Sequence, residues 1–206
     1  MRRTRYVVPA AGVLALTLII GLAGTSAAAT VSFGAKLDKF SQPANAEGGR
    51  YCSDEIVSLD TGDACTWVST VAYHNAGHAR VPVTGTIGTI MLVSCVPGSF
   101  IIQMATPASG NRARVLRNGP TINYTGDTRE ICGGEDGDDY IVQSFAVTLS
   151  VTKGDYIGVY AARLGPLYCA GGSGINLFSP PLGSSSAYRT RTDSTSCNLL
   201  VSFTYK

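Results

Sequence analysis

Gln143-Ser-Phe-Ala-Val-Thr-Leu-Ser-Val151, then Thr152-Lys153-Gly154-Asp155, then Tyr156-Ile157-Gly158-Val159-Tyr160: these residues decide the fold class. In the first run, extended back to Asp139, Ile141, Gln143, Phe145, Val147, Leu149 and Val151 occupy one face. Val142, Ser144, Ala146, Thr148 and Ser150 occupy the other. A period of two belongs to an extended chain, whose successive side chains point to opposite sides, so the run is a strand. Gly154 can take the positive φ that a tight turn needs, and residues 156 to 160 return as a second strand. The whole reads as a hairpin.

The same pattern extends outward in both directions. Cys65, Trp67, Ser69, Val71 and Tyr73 alternate with Thr66, Val68, Thr70 and Ala72, and Ile87, Met91 and Val93 share a face of a strand over residues 85 to 95. Short runs follow at 100 to 104, 113 to 117, 121 to 124, 156 to 162, 174 to 178, 187 to 192 and 198 to 205, separated by Gly, Pro, Asn, Asp and Ser. No stretch of eleven residues has helical apolar spacing, and 24 glycines and 9 prolines would penalise long helices. About ten such strands make an all-β fold, an antiparallel β-sandwich or barrel.

The N-terminus sets the compartment in which the cysteines are read. Arg2, Arg3 and Arg5 precede an apolar core from Val13 to Leu22 and the small residues Ala27-Ala28-Ala29, the pattern of a secretory signal peptide over residues 1 to 29. The expected domains are this signal and a single β-sandwich over 30 to 206, secreted and without a membrane span. Removing three of the sixteen basic residues leaves 13 against 14 acidic ones, a net of −1. A chain so near neutrality has no global field to attract nucleic acid or anionic lipid.

Cys52, Cys65, Cys95, Cys132, Cys169 and Cys197 are an even set in an exported chain, and three disulfides are expected. No two lie close enough for a zinc knuckle or a Cys-x-x-Cys redox pair. Short loops close most readily, which favours Cys52 with Cys65, then Cys95 with Cys132 and Cys169 with Cys197. Each bridge would contribute about 3 to 4 kcal/mol in the chain-entropy account.

A family resemblance rests on two stretches. The alternating strand, Lys153-Gly154-Asp155 turn and returning strand resemble the late hairpin of jelly-roll sandwiches, including the complement C1q and tumour-necrosis-factor-like group. Val81-Pro82-Val83-Thr84-Gly85-Thr86-Ile87 is similar to the opening of exported bacterial sandwich proteins. The resemblance implies a jelly-roll sandwich. The three-bridge cysteine pattern is not part of the C1q-like scheme, and its trimeric assembly is not carried over.

Candidate chemistry is sparse. His74, a block of carboxylates and then Gly171-Gly172-Ser173-Gly174 follow the chain order of chymotrypsin-like serine proteases, but neither flanking motif of that family is present. Asp60-Thr61-Gly62 is similar to an aspartic-protease loop, yet occurs once where two are needed. His74 and His78 have a zinc-compatible spacing across Asn75-Ala76-Gly77, which reads as a turn. Glu135, Asp136, Asp138 and Asp139, around Gly137, offer a hard-cation site for calcium, or a solvated acidic loop. No other cofactor is implied.

Trp67 shares a face with Cys65 and Val71 and is expected in the core rather than on a sugar-stacking platform, whereas Tyr156 and Tyr160 are left unassigned. Arg112, Arg114 and Arg117 read as the wet face of an edge strand, and Asn123-Tyr124-Thr125 is a glycosylation sequon. The expected function is a secreted, non-catalytic module that binds an extracellular glycan, the cell envelope or a cell-surface protein. The alternative is a secreted serine-type hydrolase using His74 and Ser173.

Overall fold

A computed structural model of the chain describes residues 31–37, 49–70, 79–109, 111–127, 141–169, 174–183 and 187–206. Strands β1 (Ser32–Gly34), β4 (Gly85–Leu92), β7 (Gln143–Val151) and β15 (Val201–Tyr205) form one sheet in the order β1-β15-β4-β7. A second sheet contains β3 (Cys65–Ser69), β5 (Gly98–Ala108), β6 (Arg112–Tyr124), β8 (Tyr156–Ala161), β11 (Ile175–Phe178), β12 (Arg189–Thr190) and β13 (Asp193–Thr195). Its order is β12-β6-β5-β8-β3-β11-β13. Two ribbons, β2 (Arg50–Tyr51) with β9 (Arg163–Leu164) and β10 (Leu167–Tyr168) with β14 (Asn198–Leu199), lie outside the main sheets. Among the described residues the one helix, α1 (Cys52–Glu55), begins where Asp54 accepts the Tyr51 N–H at 2.8 Å.

All these pairings are antiparallel, and four of them are nested in sequence: β1 with β15, β3 with β8, β4 with β7, and β5 with β6. The two sheets face each other across one core. Phe33, Ile87, Ile90, Leu149, Val151 and Phe203 come from the four-stranded sheet, and Trp67, Ile102, Met104, Ile157, Val159 and Leu177 from the seven-stranded one. Phe33 stacks on Phe203 at 5.0 Å, directly across the β1–β15 register. Trp67 is fully buried, as expected, and its indole N–H donates to the Ala161 carbonyl at 3.2 Å.

The expected hairpin at residues 143–160 does not form. Strand β7 pairs with β4 and β8 pairs with β5 and β3, so the Thr152–Asp155 turn carries the chain from one sheet to the other. The turn is fastened elsewhere: Gly154 donates its N–H to Val81 O and Val81 donates to Asp155 O, each at 2.9 Å, and Lys153 N–H reaches Thr84 Oγ1 at 3.0 Å. Gly154 does take a positive φ, +92°. Alternation specifies that each strand has a core side; both strands satisfy it from opposite walls of the same core.

Strand β6 joins what the sequence reading separates at Gly119-Pro120. The register with β5 shifts there, from Ile101 opposite Thr121 to Gln103 opposite Asn118, so a bulge accommodates the proline without a ladder donor.

Bridges join Cys52 to Cys65 and Cys169 to Cys197, both as expected from loop length. None of the described cysteines is free. The third expected pair involves Cys132, which lies outside the described residues, so two of the three bridges are placed. No described helix is long and apolar enough to cross a membrane.

Candidate functional site

The seven-stranded sheet buries both faces. Every residue of β3 is buried: Cys65 and Trp67 belong to the inter-sheet core, while Thr66 and Val68 project to the opposite side. There, Val68, Ala105, Ala113 and Val115 pack with Phe178 and Leu182, which follow from β11 and fill the concavity of the sheet. Thr66 Oγ1 donates to Gln103 Oε1 at 2.8 Å and accepts the Leu182 N–H at 2.9 Å. Gln103 Nε2 in turn donates to the Leu182 carbonyl at 3.1 Å and to Asn118 Oδ1 at 3.0 Å. Buried polar groups must find partners, and here they hold the 178–182 segment in place.

The curvature has a specific closure. Strands β12 and β13 lie at opposite ends of the strand order, yet only Arg191 and Thr192 separate them. Arg191 N–H donates to Asn111 O at 3.0 Å on one side, and Thr192 N–H donates to Leu177 O at 2.7 Å on the other. Adjacent residues thus bond toward opposite ends of the strand order, which curls the sheet toward a half-barrel.

At the mouth of this curl lies a polar cleft of about 360 Å³, within the size range of small-ligand sites. Thr70 at the end of β3, Pro107 and Ala108 of β5, Asn111 and Arg112 at the start of β6, Tyr156 of β8, Asn176 of β11, Arg80 and Arg191 line it. Arg80 Nε–H donates to the Tyr156 hydroxyl at 2.9 Å, and its guanidinium lies 4.9 Å from the ring centre. Arg191 Nη1 donates to Asn176 Oδ1 at 2.9 Å, and Arg112 Nη2 to the Tyr188 carbonyl at 3.3 Å. Among the described residues, none of these three guanidiniums has a carboxylate within ion-pair distance. Their acceptors are all neutral.

Of the arginines expected on the wet face of an edge strand, Arg112 and Arg117 are exposed and Arg114 is half-buried. Arg112 and Arg114 lie over the Tyr188 ring at 5.9 and 4.8 Å, beside β12, which pairs with β6 at Arg112 and Ala113. Arg117 reaches back to the Ser150 carbonyl of β7. Tyr156 becomes a cleft residue, and Asn123 is exposed on β6. Asp60 and Asp63 form an exposed turn closed by Asp63 N–H to Asp60 O at 3.0 Å, shortly before Cys65 of the Cys52–Cys65 bridge.

His74, His78, Ser173 and the acidic residues Glu135, Asp136, Asp138 and Asp139 lie outside the described residues. The residues bordering two of those segments do meet: Thr70 N–H donates to Gly174 O at 2.8 Å. Sequence reasoning missed the cleft because Arg80, Arg112, Tyr156, Asn176 and Arg191 are dispersed over more than a hundred residues. Only the sheet closure gathers them, and no local motif signals it.

Comparisons with protein-family models, with curated proteins and with solved structures find no match.

Proposed function

We propose that this chain is a secreted, non-catalytic binding module of jelly-roll type that engages an extracellular glycan or the cell envelope through the cleft at the mouth of its curled sheet. The cleft carries the reading. It presents hydroxyl, amide and guanidinium groups around the Tyr156 side chain, a set suited to hydrogen-bonding a saccharide. The jelly-roll assignment is supported by the four nested antiparallel pairs, whose inner members alternate between two facing sheets. Secretion is supported by the signal-like N-terminus together with two bridges, which persist only in an oxidising compartment. The remaining pair, Cys95 with Cys132, completes the framework in this reading.

Binding is tested by retention of the mature protein on insoluble envelope polysaccharides and on an immobilised glycan panel. Retention that Tyr156→Ala removes, with the melting temperature preserved, supports the module. No retention on any member of the panel contradicts it.

One observation favours a second reading, hydrolysis by His74 and Ser173. Thr70 and Gly174, which adjoin the segments bearing them, are hydrogen-bonded to each other. An acyl-enzyme route needs nucleophile and base within hydrogen-bond reach. Labelling of Ser173 by a fluorophosphonate probe, lost in His74→Ala, would replace the binding reading with the hydrolase; the expected result is no labelling.

A further inference from the structure

Cleft selectivity follows from charge. Arg80, Arg112 and Arg191 reach the same mouth from three separate parts of the chain, and each donates only to a neutral oxygen. In a chain whose expected mature form is close to neutral, three guanidiniums with no carboxylate within ion-pair distance among the described residues make a local positive site. Elsewhere the chain does provide such a partner: Arg50 lies 3.9 Å from Glu55.

Like charges are held together only against mutual repulsion, which an incoming anion relieves. A guanidinium presents a planar fork of donors that matches a carboxylate or a sulfate ester in two parallel hydrogen bonds. Tyr156 is already engaged by Arg80, and Asn176 orients Arg191, so two of the three forks are positioned before a ligand arrives. Such preorganisation reduces the ordering cost of binding. The amides of Asn111 and Asn176 and the hydroxyl of Thr70 supply partners for sugar hydroxyls around the anion.

We infer that the cleft recognises an acidic polysaccharide, through a carboxylate or sulfate group held between Arg112 and Arg191 with Arg80 behind Tyr156. The inference rests on the binding-module reading and narrows its ligand to an oxyanion-bearing glycan.

The test is calorimetric titration of the mature protein with uronic-acid oligosaccharides, sulfated oligosaccharides and neutral oligosaccharides of equal length. The first two arms separate carboxylate from sulfate. At least one acidic series should bind tenfold or more tightly than the neutral one, and its affinity should fall about tenfold between about 0.05 and about 0.5 M salt. Arg112→Ala and Arg191→Ala should each weaken acidic binding about tenfold or more, and Arg191→Lys should recover only part of it, because the charge remains and the fork is lost. Neutral oligosaccharides binding as tightly as acidic ones, with Tyr156→Ala still abolishing the signal, would overturn the anion inference and leave the binding module standing. Absence of binding in all three arms would overturn both.

Discussion

The two faces of the seven-stranded sheet are built by the same strands and solve different problems. Toward the four-stranded sheet, Trp67, Ile102, Met104 and Val159 make an apolar contact that requires only volume and complementarity. Toward the 178–182 segment, Thr66 and Gln103 sit among Val68, Ala105 and Leu182, and their hydrogen bonds admit one placement of that segment. The first face, with the larger set of buried apolar side chains, is expected to supply most of the stability. The second fixes where the chain goes next, to β12, Arg191 and the closure that forms the cleft. A buried polar network of this kind contributes modestly when complete and costs more when one member is removed.

The largest effect that separates the faces is expected from Trp67→Ala. Deleting the fully buried indole should lower unfolding free energy by about 3 to 5 kcal/mol in a denaturant titration. A loss below about 1 kcal/mol would mean that the inter-sheet core is not the main source of stability.

Next comes the Cys52–Cys65 bridge, which fastens α1 to β3 beside that core. Cys52→Ala with Cys65→Ala should cost about 2 to 4 kcal/mol by the same titration. Free thiols at these positions in the native protein would remove the basis for that expectation.

The polar face is broken by Gln103→Leu, which strands the Leu182 carbonyl and Thr66 while keeping most of the volume. A loss of about 1 to 3 kcal/mol is expected. Adding Thr66→Val should cost less than its single effect predicts, since its partner is already gone; strict additivity would show that the two side chains are not coupled.

A smaller, pH-dependent effect belongs to the inter-sheet core near the far end of β6. Burial holds the Tyr124 phenol above its ordinary pKa, against the Gly165 N–H it accepts at 3.0 Å and the nearby Arg163 charge. The neutral form is therefore favoured on folding. Its contribution is fully present below the unfolded value of about 10 and is lost as pH rises through the higher folded value. The melting-temperature gap between wild type and Tyr124→Phe should accordingly shrink as pH is raised past 10. A gap that widens would reverse the sign of this linkage.

The contrast also explains what the amino-acid sequence discloses. Alternation in residues 143–151 and 65–69 specifies strands and an all-β sandwich, and loop length selects both placed bridges. It does not specify partners: Val151 and Tyr156 look like the two sides of a hairpin because both strands obey the same period, although each pairs in a different sheet. Thr66 and Gln103 alternate as if solvent-facing, yet they are buried because a segment more than seventy residues downstream covers them. Trp67 is core, as its shared face with Cys65 and Val71 predicts, whereas the cleft is assembled from dispersed arginines and amides that no local pattern links.

The central claim is that ligand recognition occurs at the mouth of the curled sheet. Amide chemical-shift mapping of isotopically labelled protein titrated with an acidic oligosaccharide tests it residue by residue. Perturbations should concentrate on Thr70, Arg80, Asn111, Arg112, Tyr156, Asn176 and Arg191, and should require about tenfold or more oligosaccharide in Arg191→Ala. Saturable perturbations confined to the outer face of the four-stranded sheet, at Thr86, Thr89, Thr148 and Thr204, with the cleft amides unmoved, would contradict it.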